Sequence, residues 1–348
     1  MAAPLGLLAM SMLAVPSAAK TALLVIDVQD CFLEAACTST GNVGSLSVPA
    51  CDIIPKINSM IDSKACLFDE ILYSQDYHPA NHISFGSTHG LAPFSHLNGK
   101  GGLPMKCVSH SSGLTKDGAC CPLFYLNANM NCTQHLCPPA GWDYMTNNSG
   151  IIVNNTACTT CKNNPSQCFD QEQMMWTDHC LQTGDSGFPT TLKGTINAQT
   201  VVHKGTNQFV DAYSAFMDNT KTLKTKLDDE LIAKGVNTLY ITGIATDVCV
   251  KATVTDALGS NTANYTVYVV RDATAAVLGN VANYDAALTD MASTGATLVT
   301  TADVLAMKCP ATPAVATTSG VGEMLSFHCL GLAFLLFFHS FVHVGKST

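Results

Sequence analysis

The chain is poor in charged side chains: Asp, Glu, Lys and Arg make up 12% of its 348 residues, about half the usual share of roughly 25%. Its 17 basic residues are outnumbered by 26 acidic ones, and the formal net charge is −9. This balance argues against a nucleic-acid-binding protein, because such proteins contact phosphates through clustered Lys and Arg. The chain is not a disordered one either, since 47% of its residues are apolar and can form a buried core.

An apolar run lies at the N-terminus. Leu5–Val15 is apolar and is followed by Pro16 and small residues that match a cleavage site before Lys20. No Lys or Arg precedes the run, but the run is too short to cross a bilayer. We therefore expect residues 1–19 to be a signal peptide, with an N-terminal strand or helix of the core as the alternative.

A second apolar run, residues 325–344, lies almost at the C-terminus. Its length is sufficient to span a bilayer, but no cluster of basic residues follows it. Small, uncharged residues precede it at 317–322, an order typical of a GPI-attachment signal whose tail is removed. We expect residues 306–324 to be a linker with the attachment region and 325–348 to be the removed signal. A retained span and a buried terminal helix are the alternatives.

Glycosylation sequons and cysteines support the same route. Four N-x-S/T sequons are candidate glycosylation sites, and they begin at Asn131, Asn147, Asn154 and Asn264. Sixteen cysteines indicate an oxidising compartment. Together with the two ends, they predict a protein on the extracellular face of the plasma membrane, held there by a GPI anchor.

Six short apolar segments predict the strands of a buried parallel sheet. They are residues 21–27, 69–74, 200–203, 238–242, 267–270 and 296–300. Helical patterns lie at 220–234 and 281–294, each followed by a glycine that suits a helix end. Strands that alternate with helices predict an α/β fold, a three-layer α/β/α sandwich, over residues 20–305.

Residues 97–171 interrupt this alternation. They show no sustained periodicity and contain eight cysteines. A long loop without regular structure is uncommon in a compact domain, so we expect an irregular surface insert held by disulfides. The Cys158-Thr159-Thr160-Cys161 motif also suits zinc, but an oxidising compartment favours disulfides.

Cys249 is the candidate nucleophile. The segment at 246–258 follows a strand and opens a helix, with Thr246 or Asp247 as the predicted N-cap. In the first helical turn, the helix dipole is expected to lower the pKa of the thiol. A structural or bridged cysteine is the alternative. Setting aside Cys329 of the removed tail and Cys249 leaves fourteen cysteines, an even number for pairing.

Asp27 and Lys204 follow the first and third predicted strands. In a parallel sheet these strand ends lie at the same edge as Cys249. A carboxylate that accepts the thiol proton and a cation that holds the pair would complete a Cys–Asp–Lys triad. The alternatives are a strand-end cap for Asp27 and a solvated surface residue for Lys204.

Asp76 and His78 lie just after the second strand and two residues apart. On extended backbone such residues point to the same side, so both can bind one cation. His179 follows the insert and would complete an Asp–His–His site that leaves positions for water and substrate.

Several of these residues fall in motifs that appear in a fixed order. They are DVQDCF (27–32), SQDYHPANHISF (74–85), WTDHC (176–180), HKGTN (203–207), DAYSAF (211–216) and GIATDVCVKATVTDAL (243–258). Over about residues 21–96 and 172–305, the sequence resembles the nicotinamidases (pyrazinamidases) of the isochorismatase-like cysteine hydrolases. It departs from the family at Asp30-Cys31, where the family commonly has Asn-Asp, and in its much longer insert.

The resemblance implies a role for each matching residue. Asp27, Lys204 and Cys249 would be the triad, and the backbone N–H groups of Ala245 and Cys249 would form the oxyanion hole after a cis Ile244–Ala245 peptide. The substrate pocket would contain Phe32, Trp176, Tyr213 and Gln29. The metal ligands would be Asp76, His78 and His179, with His82 as a further ligand or a water-holding neighbour.

The implied reaction is hydrolysis of nicotinamide to nicotinate and ammonia through a thioester on Cys249. The implied cofactor is a divalent metal ion that holds the pyridine nitrogen, zinc by preference and iron or manganese as alternatives. Two other functions remain open at this point. One is a related small-amide hydrolase without the metal, and the other is a cell-surface glycoprotein that uses the scaffold for binding.

Overall fold

The carboxyl ends of the parallel strands form the edge that carries the site. A computed structural model describes residues 20–63, 67–94, 102–109, 118–122 and 156–307. Its strands are β1 Lys20–Ile26, β2 Glu70–Asp76, β3 Leu103–Val108, β4 Ala119–Pro122, β5 Phe169–Gln173, β6 Val201–Lys204, β7 Val236–Ile244, β8 Thr266–Ala275 and β9 Thr297–Val299. All six predicted strands are confirmed, and they form one parallel sheet in the order β6-β2-β1-β7-β8-β9.

Helices cover both faces of this sheet, as predicted for a three-layer sandwich. The α-helices are α1 Ile53–Asp62, α2 Thr156–Asn163, α3 Leu227–Lys234, α4 Lys251–Leu258, α5 Val281–Ser293 and α6 Thr301–Leu305. The central strand β1 alternates between the faces: Leu23 and Val25 pack in one core with α1 and α6. Leu24 and Ile26 pack in a second core with α3, α4 and α5. A fully buried strand of this kind needs apolar residues on both faces, which explains its unbroken apolar run.

The helix predicted at 220–234 is shorter than expected, because it begins only at Leu227. The Asp218 carboxylate accepts hydrogen bonds from the Thr220 hydroxyl and from the Thr222 N–H. These local bonds satisfy backbone and side-chain groups in a turn and so compete with helix formation. The predicted end is confirmed, since Gly235 adopts the left-handed conformation with φ of 74°.

The insert is more regular than the sequence indicated. Strands β3, β4 and β5 form an antiparallel sheet in the order β4-β3-β5, so the expectation of an irregular insert is corrected for its described residues. Disulfides stabilise this sheet, as expected, and they join Cys107 to Cys120, Cys121 to Cys158 and Cys161 to Cys168. Both cysteines of the Cys158–Cys161 motif are in disulfides, as predicted, and neither offers a thiolate to a metal.

Several predictions concern residues outside the described part. They are the signal peptide, the attachment region beyond residue 307, the C-terminal run and the sequons at Asn131, Asn147 and Asn154. The fourth sequon residue, Asn264, is exposed. Among the described residues, no helix combines the length and the apolar character that crossing a membrane requires.

Candidate active site

Four neighbouring strands bring the predicted triad and the first predicted metal ligand together. Asp27 directly follows β1, Asp76 ends β2, Lys204 ends β6, and Cys249 lies in the turn after β7. Because these strands are adjacent and parallel, their carboxyl ends meet at one edge of the sheet, where α/β proteins place ligands.

The Lys204 ammonium lies at the centre of the triad. Its Nζ atom lies 2.9 Å from Asp27 Oδ2 and 3.6 Å from Cys249 Sγ. The other carboxylate oxygen of Asp27 accepts a 2.6 Å hydrogen bond from the Ser74 hydroxyl. All of these side chains are buried. The surface reading of Lys204 is therefore wrong, and Asp27 contacts a buried cation rather than capping a strand.

Burial shifts the pKa values of the side chains in this group. It raises the pKa of the Cys249 thiol well above its usual value, against the attraction of Lys204. It also raises the pKa of Asp27, again against Lys204. For Lys204, burial alone would lower the pKa, but Asp27 and Asp76 outweigh it and hold that pKa well above its usual value. Desolvation therefore favours the thiol form of Cys249, and Lys204 is an ammonium. The expectation of a thiolate stabilised by the helix dipole is corrected.

The turn that carries Cys249 differs in detail from the predicted cap. Ala245 is the N-cap, and Thr246–Val250 forms a wide π-helical turn that continues into α4. Asp247 instead accepts a hydrogen bond from the Val277 N–H at 3.0 Å. The Ile244–Ala245 peptide is cis, as the resemblance implied.

A glycine lets β7 approach β1 at this point. A Cβ atom on Gly243 would lie 2.0 Å from the Ile26 carbonyl oxygen, and its φ of 111° belongs to glycine. Only glycine therefore allows the turn with Cys249 to come so close to Asp27.

The two predicted histidine ligands both approach the carboxylate of Asp76. Asp76 Oδ2 lies 3.0 Å from His78 Nε2 and 3.3 Å from His179 Nε2. The opposite ring nitrogens are held by backbone carbonyls: His78 Nδ1 contacts Gly205 O, and His179 Nδ1 contacts Thr177 O. A histidine that donates Nδ1–H in this way presents the Nε2 lone pair, as metal-bound histidines do.

This donor set fits a divalent cation. Two imidazoles packed against one carboxylate are stabilised by a positive charge among them, either a proton on His78 or a metal ion that replaces it. Burial would raise the pKa of Asp76, but His78 and Lys204 outweigh it and hold that pKa well below its usual value. The carboxylate is thus ionised, and two imidazoles with one carboxylate is a common set for zinc.

His82 lies beside this group. Its ring is tilted by 37° against the ring of His78, with the centroids 4.1 Å apart. Its Nδ1 lies 2.8 Å from the Ser84 hydroxyl, and its Nε2 lies 3.3 Å from Val210 O. The ligand atoms of His78, His82 and Asp211 also lie within 4.8 Å of one another. The alternative group of Asp76, His179 and Cys180 meets the same distance, but Cys180 is in a disulfide and offers no thiolate.

An apolar pocket opens next to both groups. Its volume is about 30 Å³, and its lining includes Phe32, Asp76, Trp176, His179, Tyr213, Ala245 and Cys249. The Tyr213 hydroxyl accepts hydrogen bonds from Trp176 Nε1 and Gln173 Nε2, which fixes two aromatic walls. These walls offer flat aromatic faces, against which an aromatic ring packs favourably.

Gln29 does not line this pocket, and its predicted place among the substrate-binding residues is corrected. Its Nε2 donates to Asp76 O and to Ser186 O, and its Oε1 accepts from the Asp76 N–H. A buried amide must satisfy its donors and its acceptor, and the backbone of Asp76 does this here. Gln29 therefore holds the backbone of Asp76, the predicted metal ligand.

Sequence reasoning also missed Ser74 and Asp211. Both lie within quoted motifs, but no role was predicted for either. Ser74 donates to Asp27, and Asp211 lines the pocket and accepts a hydrogen bond from Gln173. The signal for Ser74 was its place two residues before Asp76 on the same strand, which puts it on the same face.

Comparison with known proteins identifies the family. Residues 190–303 match the Isochorismatase domain. The nicotinamidase of Escherichia coli (strain K12) is 30% identical over 285 residues, which cover 81% of this chain and 95% of that protein. The chain belongs to the nicotinamidase family of isochorismatase-like hydrolases. It is an amidohydrolase.

Other nicotinamidases agree with this assignment. The Acinetobacter baylyi nicotinamidase is 29% identical over 259 residues, 74% of this chain and 81% of that protein. The solved nicotinamidase/pyrazinamidase of Acinetobacter baumanii is 25% identical, covers 82% of this chain and 98% of its own, and has a TM-score of 0.51. The yeast nicotinamidase structure, at 20% identity and a TM-score of 0.52, shows the same fold.

Proposed function

We propose that the chain hydrolyses nicotinamide to nicotinate and ammonia, with Cys249 as the nucleophile. The observation that carries this proposal is that one pocket contains Cys249, the predicted metal ligands Asp76 and His179, and aromatic walls. A ring held at the metal group could thus present its carboxamide to the thiol. The nicotinamidase relatives named above support the same substrate.

The first half of the reaction uses the triad as a unit. Asp27 accepts the proton of the Cys249 thiol, and the sulfur attacks the carboxamide carbon. The raised pKa of Asp27 suits this role, because a general base works best when its pKa approaches the working pH. Lys204 remains charged and stabilises the thiolate as it forms. The backbone N–H groups of Ala245 and Cys249 are the proposed donors to the oxyanion.

The second half completes the hydrolysis. Asp27 returns the proton to the leaving nitrogen, ammonia departs, and a nicotinoyl thioester remains on Cys249. Asp27 then takes a proton from water, and the hydroxide attacks the thioester carbon. The C–S bond breaks, Asp27 returns the proton to the sulfur, and nicotinic acid loses its proton to solvent as nicotinate. A divalent cation on Asp76, His78 and His179, zinc by preference, would supply a Lewis acid for the pyridine nitrogen.

A pair of matched substrates tests this proposal. Nicotinamide and benzamide differ in the ring nitrogen alone, so we expect ammonia release to be much faster from nicotinamide. A chelator should slow the nicotinamide reaction, and added zinc should restore it. Equal rates for both amides, or turnover that is insensitive to chelation, would contradict the metal role and favour a metal-free small-amide hydrolase.

We further propose that the enzyme acts outside the cell, on a GPI anchor near Ser319 or Gly320. Five disulfides among the described residues support an oxidising compartment. Phosphatidylinositol-specific phospholipase C should release active, glycosylated enzyme from intact cells. Enzyme that remains on the membrane and still contains residues 325–344 would indicate a retained span.

A further inference from the structure

His179 reaches the metal group from a different part of the chain than Asp76 and His78. It lies in residues 174–200, between β5 and β6, a segment without a helix or strand of its own. Isolated bridges tie Trp176 and Leu181 to neighbouring chain. A loop of this length is normally a source of conformational freedom, yet a metal ligand must be held accurately.

One disulfide joins this loop to the pocket. Cys31 is bonded to Cys180, and both are fully buried. Cys180 directly follows His179, and Cys31 directly precedes Phe32, whose ring lies 5.4 Å from the ring of His179. The carbonyl of Cys180 also accepts a 3.0 Å hydrogen bond from the N–H of His78. The disulfide therefore adjoins two predicted ligands and one wall of the pocket.

The rest of the loop is held by other contacts. The carbonyl of Ser186 accepts hydrogen bonds from the side-chain amides of Gln29 and Gln75, each at 2.7 Å. The carbonyl of Gly187 accepts one from the Asp30 N–H at 2.8 Å. Loss of the disulfide would therefore leave the loop attached by hydrogen bonds at Trp176, Leu181 and Ser186. It would remove the covalent link directly beside His179.

We propose that the Cys31–Cys180 disulfide is a positioning element that holds His179 against Asp76 and Phe32 and so sets the affinity of the metal site. This inference rests on the metal role within the proposed function. Groups that orient metal ligands commonly change metal affinity by about 10- to 100-fold when they are removed. Oxidation of this pair in the secretory pathway would then be a condition for stable metal loading.

The test measures zinc binding rather than activity alone. The full chain, produced through a secretory host and stripped of metal, is titrated with zinc against a chromophoric chelator. The Cys31→Ser/Cys180→Ser variant should bind zinc about 10- to 100-fold more weakly, and excess zinc should restore its turnover of nicotinamide. The matched control is Cys121→Ser/Cys158→Ser, which removes a buried disulfide of the insert and should bind zinc like the wild type.

A second variant separates positioning from folding. Cys31→Val/Cys180→Ala keeps the buried space apolar and should show the same weakened zinc binding together with a cooperative unfolding transition. If both variants lose cooperative unfolding, the disulfide stabilises the whole fold, and the proposal is wrong. Unchanged zinc affinity in a folded variant also overturns it. A wild-type protein that binds no zinc would instead contradict the metal part of the proposed function.

Discussion

The ammonium of Lys204 lies 2.9 Å from Oδ1 of Asp76. It lies equally close to Asp27 Oδ2, so one buried cation pairs with both the proposed base and a proposed metal ligand. This shared cation places the nucleophile and the metal group at a fixed separation. Its charge lowers the pKa of both carboxylates, against the effect of burial.

Removing this cation should destabilise the protein strongly. Lys204→Met leaves Asp27 and Asp76 without their ammonium partner, and breaking one side of a buried ion pair typically costs about 3–5 kcal/mol. Urea unfolding of metal-free protein measures this cost. The loss should shrink at lower pH, because protonation of Asp27 removes one unpaired charge.

The control for this prediction is a solvent-exposed ion pair on the surface of the protein. Lys193 pairs with Asp62 at 2.6 Å, and both side chains are more than half exposed. Lys193→Met should change the free energy of unfolding by only about 0–1 kcal/mol. Similar losses for the two variants would mean that the buried pair contributes no more than a surface contact.

His89 should make the fold sensitive to acid. Burial lowers its pKa to about 4, and its Nε2 donates a 2.7 Å hydrogen bond to Ile83 O. An unfolded histidine titrates near 6.5, so the unfolded state binds more protons between these values. Its contribution, up to about 3 kcal/mol, is therefore complete above about pH 6.5 and is lost as the pH falls towards 4.

The His89→Gln variant isolates this contribution. Glutamine keeps a donor near Ile83 O but cannot titrate, so the free energy of unfolding of the variant should fall less between pH 6.5 and 4 than that of the wild type. Parallel pH profiles for the two proteins would show that His89 is not the group responsible.

Alkylation of the native, unreduced protein tests the pairing of the cysteines. Among the described residues, Cys249 is the only free cysteine. Its raised pKa keeps it as a thiol, so iodoacetamide should label it slowly, faster at higher pH, and nicotinate should protect it. Peptide mapping that finds a second labelled cysteine in the mature chain, or a disulfide at Cys249, would contradict the parity prediction.

The elements that sequence predicted best are those whose local pattern coincides with their tertiary role. Strand β1 is buried on both faces, so its apolar run was unambiguous. Asp27, Lys204 and Cys249 each follow such a strand, and strand ends of a parallel sheet share an edge. Their closeness could therefore be predicted from the strand pattern alone, without knowledge of the side-chain contacts.

The features that sequence missed depend on contacts between distant segments. Gln29 forms hydrogen bonds with the backbone of Asp76, and Cys31 pairs with Cys180 across 149 residues. No local sequence pattern predicts either contact. Desolvation at Cys249 depends on everything packed around it, and it raises the pKa of the thiol, which the local pattern predicted to be lowered. The strands of the insert are short, and their register is set by pairing and disulfides rather than by alternation.

The central claim is that the Cys249 sulfur begins the hydrolysis of nicotinamide. Nicotinate formation by the wild type and by Cys249→Ala, at equal zinc content and with matching unfolding transitions, tests it most directly. Because the triad acts as a unit, we expect the variant to lose about four orders of magnitude or more in kcat, and Asp27→Asn should add little to that loss. A Cys249→Ala protein that forms nicotinate at the wild-type rate would contradict the account.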